Sequence, residues 1–382
     1  MFKENLIMKF TDVNPFSKNE QSKINKSLLS TVKKGDFILG KNVEKFEKKF
    51  SKLAKVKYSV GCATGTDALI LSIKVLGLKK KHEVIIPGMS YISTGLSLAL
   101  NKTKICFADI DPETGLISLE SIKNKINKNT KAIIPVNLYG QKVDIKKLRS
   151  IVGKKVFIIE DSAQSHFAFS CYNCGRAEEE TCCKKELNHS YADLSCYSFY
   201  PSKNLGAYGD GGLITTNNMN FYRKLKILRN LGTIKKNVHE YEGLNSRLDT
   251  IQASILFEKV NHTKKHNDYR RKISKYYDDE LQFISEVKTT ETKPGSSRHL
   301  YVIRVKNRDR LLKYLQKNGI SSQLHYPYSL NRAGALRGSV KKDSLPISEK
   351  WAKECLSLPV YPYMKLSDAE KVVRTIKKYF NY

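Results

Sequence analysis

The chain has 382 residues and a formal net charge of +31, and 40% of its residues are hydrophobic. This length allows one large or two medium domains with a buried core. With 21 glycines and 10 prolines the chain is neither collagenous nor of low complexity, and no apolar run is long enough for a transmembrane helix. Because the first residues contain no apolar signal segment, we expect a cytoplasmic protein.

The excess of basic residues allows two interpretations. The chain has 68 Lys and Arg residues but 37 Asp and Glu residues. A polyanion such as nucleic acid or an anionic membrane would bind such a chain. The lysines, however, are spread along the whole chain without a basic tail, which favours a solvated lysine-rich surface. We therefore predict neither a nucleic-acid nor a membrane partner, and an anionic small substrate agrees with either interpretation.

Short β-branched runs alternate with helical patterns between about residues 60 and 216. The predicted strands are 84–87, 105–110, 132–136, 156–161, 195–200 and 212–216. Residues 66–78 carry apolar side chains on one helical face, with Gly77 as a candidate C-cap. Apolar strands separated by helices predict an α/β fold with a mainly parallel sheet covered on both faces. Ligands bind at the carboxyl ends of the strands in such sheets.

After about residue 217 the pattern becomes helical and very basic, up to about residue 285. Residues 286–298 are polar and contain proline and glycine, so they predict a loop. The remaining predicted elements are a strand at 299–305 and helices at 308–319 and 368–380. We therefore predict a large domain over residues 1–260 and a smaller C-terminal α+β domain over residues 261–382.

The first candidate site lies where a strand leads into Thr64, Gly65 and Thr66, with a helix predicted to begin near Asp67. Amides at a helix N-terminus and a threonine hydroxyl suit a phosphate group. Threonine and aspartate are also ordinary N-caps, so this segment by itself favours a structural cap.

Two further candidates follow predicted strands. Asp161 ends an apolar strand, where a carboxylate needs a partner such as a protonated ring nitrogen of a cofactor or a helix N-terminus. Lys203 follows the strand at 195–200, in a glycine-rich loop that would let a ligand approach the backbone. It is therefore a candidate Schiff-base lysine, and a solvated surface lysine is the alternative.

Taken in chain order, these segments resemble the motifs of the DegT/DnrJ/EryC1/StrS family of fold-type-I PLP-dependent nucleotide-sugar aminotransferases. The resemblance covers nearly the whole chain, and its most specific segment is SFYPSKNLGAYGDGG at 198–212. The other matching segments are 35–50, 83–94, 133–141, 244–254 and the triplet His325-Tyr326-Pro327. It implies the α/β fold of that family, with a smaller C-terminal α+β domain.

The resemblance also assigns roles to individual residues. It implies that Lys203 carries the cofactor, pyridoxal 5′-phosphate (PLP), and moves the proton between cofactor and substrate. Asp161 matches the carboxylate that pairs with the pyridinium nitrogen and keeps the ring an electron sink. Gln164 matches the glutamine beside the ring and its 3-hydroxyl, and Tyr91 matches the aromatic residue that stacks on the ring.

The remaining implied ligands belong to the phosphate and the substrate. The phosphate ligands of the family match Gly65, Thr66 and Ser198. Asn245 matches a phosphate ligand donated by the neighbouring subunit, which implies a homodimer with shared active sites. His325 and Tyr326 belong to a substrate-side loop.

Some family members have histidine in place of the lysine and catalyse dehydration of the sugar instead. The presence of Lys203 therefore favours transamination.

The implied substrate is a nucleotide-diphosphate keto-6-deoxy sugar with L-glutamate as amino donor, in amino-sugar biosynthesis such as that of lipopolysaccharide or O-antigen. Segments 35–47 and 230–249 look more like the 3-keto branch and favour a dTDP-3-keto-6-deoxyhexose. A UDP- or dTDP-4-keto sugar is the alternative, and a non-catalytic PLP-fold binding or regulatory protein is a more distant one.

An insertion at about residues 168–190 departs from the family pattern. It contains Cys171, Cys174, Cys182 and Cys183, with His189 nearby. C-x-x-C is a common zinc half-site, but adjacent cysteines are a poorer second half. We predict a surface loop without a metal, and a structural zinc is the alternative.

Overall fold

The computed structural model describes residues 8–171, 185–186, 191–293, 295–339 and 344–382. The helices are α1 Lys18–Lys34, α2 Lys41–Ala54, α3 Gly65–Val75, α4 Ser93–Leu100, α5 Leu119–Lys125, α6 Ile145–Val152, α7 Met219–Leu228, α8 Thr250–Lys259, α9 Thr263–Leu281, α10 Arg308–Lys317, α11 Pro346–Glu354 and α12 Leu366–Phe380. The strands are β1 Tyr58–Cys62, β2 Glu83–Pro87, β3 Lys104–Ala108, β4 Thr130–Ile133, β5 Phe157–Asp161, β6 Ser170–Cys171, β7 Lys185–Glu186, β8 Leu194–Ser198, β9 Gly212–Thr216, β10 Thr233–Lys235, β11 Val238–His239, β12 Val287–Thr289, β13 Tyr301–Val305 and β14 Cys355–Leu358.

The central sheet has seven strands in the order β1-β9-β8-β5-β4-β2-β3. β5 pairs in parallel with β4 and β8, and β2 pairs in parallel with β3 and β4. β9 runs antiparallel to both of its neighbours, β1 and β8. The predicted mainly parallel sheet is therefore confirmed. The reversed direction of β9 was not predicted, because an apolar run carries no information on strand direction.

Both faces of this sheet are buried, as the apolar strands predict. Val84 and Ile86 of β2 point into one core together with Ile73 of α3. Ile85 lies between them and points into the opposite core, where it is joined by Leu148 of α6. Because successive side chains of a strand face opposite sides, a strand buried on both sides is apolar throughout.

The C-terminal residues build a second, smaller sheet of three antiparallel strands in the order β12-β13-β14. Tyr277 of α9, Leu315 of α10 and Val372 of α12 share one buried core on this sheet. This separate core supports the division near residue 260, which we keep as a proposal. The predicted loop at 286–298 is wrong at its start, since β12 occupies Val287–Thr289. A strand of three residues is too short to produce a recognisable apolar alternation.

The stretch predicted as helical after residue 217 contains a β-hairpin. α7 is followed by Gly232, whose φ of 69° lies in the left-handed region, and β10 and β11 then pair in an antiparallel manner. The glycine ends the helical path because it adopts this backbone conformation without a steric penalty. The hairpin leads into the segment that carries Asn245.

Three cysteines lie in strands of the central sheet. Cys62, Cys106 and Cys196 lie in β1, β3 and β8 and are free thiols. Cys174, Cys182, Cys183 and His189 lie outside the described residues. Within the described part of the chain, no helix is long and apolar enough to cross a membrane, and no cluster of His, Cys, Asp and Glu side chains could hold a metal ion.

Candidate active site

Three candidate segments meet at one edge of the central sheet. Asp161 ends β5, Ser198 ends β8, and α3 begins three residues after β1. β5 and β8 are parallel, and β9 is antiparallel to both β8 and β1. Strands β1, β5 and β8 therefore run in the same direction. Their carboxyl ends therefore lie together, where sheets of this type bind ligands.

Asp161 is a buried carboxylate with few partners. Its Oδ2 accepts a hydrogen bond from the Thr94 hydroxyl at 3.0 Å, and its Oδ1 accepts one from the Ala163 amide at 3.2 Å. Burial raises the pKa of Asp161, while these two hydrogen bonds and the positive charge of Lys203 act in the opposite direction. A cation placed against this carboxylate would stabilise its charged form.

Lys203 lies in the loop between β8 and β9, and its amide donates to the Tyr200 carbonyl at 2.9 Å. Burial lowers the pKa of Lys203 to about 8, and the charge of Asp161 opposes that shift. The amine is therefore closer to its neutral, nucleophilic form at neutral pH than an exposed lysine would be.

The residue after Lys203 fixes this loop. Nδ2 of Asn204 donates to Oδ1 of Asn267 at 2.7 Å and to the Ser297 carbonyl at 2.8 Å. Oδ1 of Asn204 lies 2.8 Å from Nδ1 of His299. Three partners on C-terminal segments thus hold the backbone on which Lys203 stands.

A narrow cradle forms where α3 begins. A Cβ at Gly65 would lie 2.6 Å from the Cβ of Ser198, and a Cβ at Gly212 would lie 2.2 Å from the Thr64 carbonyl oxygen. Only glycine allows the chain segments to approach this closely. The Thr66 hydroxyl is 2.7 Å from the Ser93 hydroxyl. Hydroxyls beside the free amides of a helix N-terminus form an anion site.

Gln164 connects this edge to the His325–Tyr326 segment. Its Oε1 accepts from the Tyr139 amide at 2.7 Å, and its Nε2 donates to the Tyr326 hydroxyl at 2.8 Å. The ring centroids of Tyr326 and Tyr91 are 5.7 Å apart. Tyr91 itself is 57% exposed, so one face of its ring is open to a ligand.

His325 directly precedes Tyr326, the hydrogen-bond partner of Gln164, and is mostly buried. Its Nδ1 is 2.8 Å from the Ser357 hydroxyl, and its ring stacks on Phe10 with centroids 5.7 Å apart. Burial, and then the charge of Lys203, lower the pKa of His325 to about 4. The imidazole is therefore neutral at physiological pH.

Asn245 is the one predicted site residue that stands apart. It is exposed and bridges in an antiparallel manner to Asn230. The next residue, Ser246, accepts from the Ala63 amide at 3.1 Å and donates to Asp67 at 2.8 Å. The segment therefore touches the start of α3, while the Asn245 side chain faces outward.

Sequence reasoning missed Thr94, Asn204 and Tyr139. Thr94 and Tyr139 lie in the matching segments 83–94 and 133–141, but their roles could not be inferred because their partners Asp161 and Gln164 are distant in sequence. Asn204 stands directly beside Lys203 in the predicted motif, so its position could have drawn attention to it.

The chain was compared with known proteins. Residues 18–377 match the DegT/DnrJ/EryC1/StrS aminotransferase family. The chain belongs to this family. It is 36% identical to the dTDP-3-amino-3,6-dideoxy-alpha-D-galactopyranose transaminase of Aneurinibacillus thermoaerophilus, over 97% of this chain and 99% of that protein. It is 32% identical to the UDP-2-acetamido-2-deoxy-3-oxo-D-glucuronate aminotransferase of Pseudomonas aeruginosa, over 94% and 96% of the two chains.

A solved structure of the same family has the same fold. The crystal structure of S. venezuelae DesV superposes with a TM-score of 0.90 at 28% identity, covering 98% of this chain and 99% of that one. The predicted fold-type-I architecture is confirmed by this match. The chain is thus an enzyme of a PLP-dependent sugar aminotransferase family.

The residues of this aminotransferase fit PLP. Asp161 is a buried carboxylate with a raised pKa, and a protonated ring nitrogen is the kind of cation that would stabilise it. Lys203 offers an amine whose pKa burial lowers. Gly65 lets Ser198 approach the N-terminus of α3 closely, and amides and hydroxyls at a helix N-terminus suit a phosphate group.

Proposed function

We propose that this aminotransferase converts a nucleotide-linked keto-6-deoxy sugar into the amino sugar, with PLP as cofactor and glutamate as amino donor. The observation that carries the proposal is the placement of the buried Asp161 and the half-buried Lys203 beside the α3 cradle. Transamination needs an amine that acts as nucleophile and proton carrier, a charge-stabilising carboxylate and an anion site. These three requirements are met at one edge of the sheet.

Each group has a separate task in this proposal. PLP, when bound, supplies the electron sink for the chemistry at the amino-bearing carbon. Lys203 Nζ takes and returns the proton, helped by a pKa of about 8 that suits both directions near neutral pH. Asp161 holds a negative charge in a site of low polarity, and Gly65, Thr66 and Ser198 hold the phosphate.

The names of two relatives support the 3-keto preference. Both the A. thermoaerophilus and the P. aeruginosa enzymes are named for sugars modified at carbon 3. Their sugars differ, since one is a dTDP-linked dideoxyhexose and the other a UDP-linked glucuronate. We propose the dTDP-3-keto-6-deoxyhexose as substrate, in agreement with segments 35–47 and 230–249.

A homodimer with shared sites is part of the proposal. The exposed Asn245 side chain is available to a second subunit, and its neighbour Ser246 is anchored to the α3 region by two hydrogen bonds. An amide can donate to a phosphate oxygen across such an interface. A cytoplasmic location stays a prediction from the sequence.

The test is a direct assay of the purified enzyme. PLP and glutamate are supplied with matched 3-keto and 4-keto dTDP and UDP sugars, and products are read by mass and NMR. We expect a 3-amino product from the dTDP-3-keto-6-deoxyhexose. Lys203→Ala should abolish it, whereas Lys272→Ala, an exposed lysine on α9, should leave it unchanged. A 4-amino product would reassign the substrate, and no product from any sugar would favour a binding or regulatory protein.

A further inference from the structure

A small, partly enclosed cavity of about 20 Å³ lies against the loop that carries Lys203. Its walls come from the N-terminal segment at Asp12, the lysine loop at Pro201, the end of α8 and the start of α9. This space holds about one water molecule or one monatomic ion. Its walls include Lys203 and Asn204 but none of the residues of the cradle at α3.

Three basic side chains line this cavity and are almost fully buried. Lys259 is 4% exposed, and His266 and Arg270 are each 3% exposed. Lys259 Nζ lies 5.1 Å from the Phe16 ring centroid and 4.6 Å from that of Tyr208. Within the described ranges, none of the three basic side chains forms an ion pair with a carboxylate.

Donor groups at the cavity also lack acceptors. In the described part of the chain, Nε2 of His266 and Nε of Arg270 are buried without a hydrogen-bond partner. Arg270 otherwise donates to two neutral carbonyls, of His299 and Val360. A buried donor without an acceptor is unfavourable, and these atoms belong to two residues that line the cavity. With the His266 proton on Nε2, both atoms call for a ligand that accepts hydrogen bonds.

The nearby acids do not neutralise this charge. Asp12 lines the cavity and accepts from the Asn14 amide at 3.1 Å, so it supplies one negative charge. Glu20 is engaged elsewhere, with His262 at 3.0 Å and the Ser17 amide at 2.8 Å. The cavity is therefore lined by one carboxylate and by the cationic side chains of Lys259 and Arg270. Lys203 also lies on the cavity wall.

We propose that this cavity binds one monatomic monovalent anion, chloride, as the counter-ion of Lys259 and Arg270 with His266 as a hydrogen-bond donor. A volume of about 20 Å³ suits a monatomic ion better than a phosphate or a carboxylate ligand. Burial without a counter-ion also lowers the pKa of Lys259 to about 8 and that of Arg270 to about 10. An anion there would tie the N-terminal segment and α9 to the back of the lysine loop.

Bromide diffraction tests the site directly. Crystals of the PLP-loaded protein are transferred to a solution with sodium bromide in place of chloride, and data are collected at the bromine absorption edge. We expect an anomalous peak in the cavity within hydrogen-bonding reach of His266 Nε2. A cavity that holds only water, without anomalous signal, would overturn the proposal.

A thermal measurement tests the same site in solution. The PLP-loaded protein is unfolded in sodium chloride and in sodium gluconate of equal concentration. We expect a midpoint about 1–3 °C higher in chloride, since an anion that binds only the folded state stabilises it. Lys259→Met should lose this difference, and the matched variant Lys272→Met on α9 should keep it. Equal midpoints in both salts, or an unchanged difference in Lys259→Met, would contradict the proposal; if Lys259→Met does not fold, the bromide map decides.

Discussion

Asp161 shows how one residue acquires its properties from its place in the fold. The same side chain on the surface would be charged and solvated, but here it ends a buried strand, where Thr94 and Ala163 donate hydrogen bonds to it. Burial raises its pKa, so its charged form depends on a cation brought to it. This makes it a suitable partner for a protonated ring nitrogen.

We predict that replacing Asp161 lowers transamination strongly. Asp161→Ala removes the charge and the acceptor, and Asp161→Asn keeps the shape but removes the charge, so both should reduce kcat by at least about 100-fold. Steady-state kinetics with saturating PLP checks this, and circular dichroism checks that the fold is kept. Asp193→Asn, on a carboxylate paired with Arg149 away from this edge, is the control. Rates near wild type in both Asp161 variants would show that another acid has this role.

The residues that were predictable from the sequence are those next to strand ends. Lys203 and Asp161 follow apolar runs directly, so their place at the sheet edge could be inferred from the pattern. The hydrogen bonds that fix the Lys203 loop could not be inferred from the sequence. They join Asn204 to Asn267 and Ser297, which are 63 and 93 residues away along the chain. Only the packed structure brings these partners together.

At the scale of elements, β1 is an edge strand that the protein protects with a buried ion pair. Glu47 of α2 accepts from the Gly61 amide at 2.7 Å and pairs with Arg229. Arg229 donates in turn to the Gly61 carbonyl at 2.8 Å. The two side chains thus satisfy backbone groups that would otherwise be unpaired at the edge.

We predict that breaking this pair from one side destabilises the protein. Arg229→Met leaves the buried Glu47 carboxylate without its cation, which should lower the free energy of unfolding by about 3–5 kcal/mol. The double variant Glu47→Leu with Arg229→Met removes both charges and should recover part of that loss. Urea unfolding measures all three, with exposed Lys272→Met as control. A loss in the double variant larger than in Arg229→Met would contradict this explanation.

The elements themselves were predicted unevenly. β9 at Gly212–Thr216 coincides with its predicted range, and α10 begins at the predicted Arg308. The hairpin of β10 and β11 lies in a stretch predicted as helical, because its strands have three and two residues and show no alternation. Long apolar runs are therefore readable from the sequence, whereas short pairings that depend on tertiary contacts are not.

At the level of the whole molecule, three buried histidines and the half-buried His325 make stability depend on pH. Burial lowers the pKa of His166 to about 3, those of His266 and His325 to about 4, and that of His299 well below its ordinary value of 6.5. Below about pH 6.5 the unfolded chain binds protons that the folded chain does not. The free energy of unfolding therefore falls as the pH falls from about 6.5 towards 4.

We predict a loss of roughly 1.4 kcal/mol per pH unit for each such histidine in this window. Urea unfolding of the cofactor-free protein between pH 7.5 and 5 measures the slope. His325→Gln should reduce the slope by up to about 1.4 kcal/mol per pH unit, and His239→Gln, at an exposed position, should change the slope little. Stability that is constant or rises towards pH 5 would contradict the sign of this argument.

A second prediction at this scale concerns the dimer. If Asn245 acts in the site of the partner subunit, co-expressed Lys203→Ala and Asn245→Ala chains form mixed dimers with one intact site. Their activity should reach at most about half of that of the wild-type dimer, provided that Asn245→Ala alone is strongly impaired. Differently tagged chains allow the mixed dimers to be purified. No recovery in verified mixed dimers would place Asn245 in the site of its own subunit.

We propose that Lys203 carries PLP in this enzyme, and chemical reduction of the bond between them tests this directly. The PLP-loaded protein is treated with borohydride, which reduces the bond between cofactor and lysine to a stable one, and is then digested and sequenced by mass spectrometry. We predict that the phosphopyridoxyl group is found on the peptide that contains Lys203, and that Lys203→Ala yields no such peptide. The label on another lysine, or no label in protein saturated with PLP, would contradict the claim.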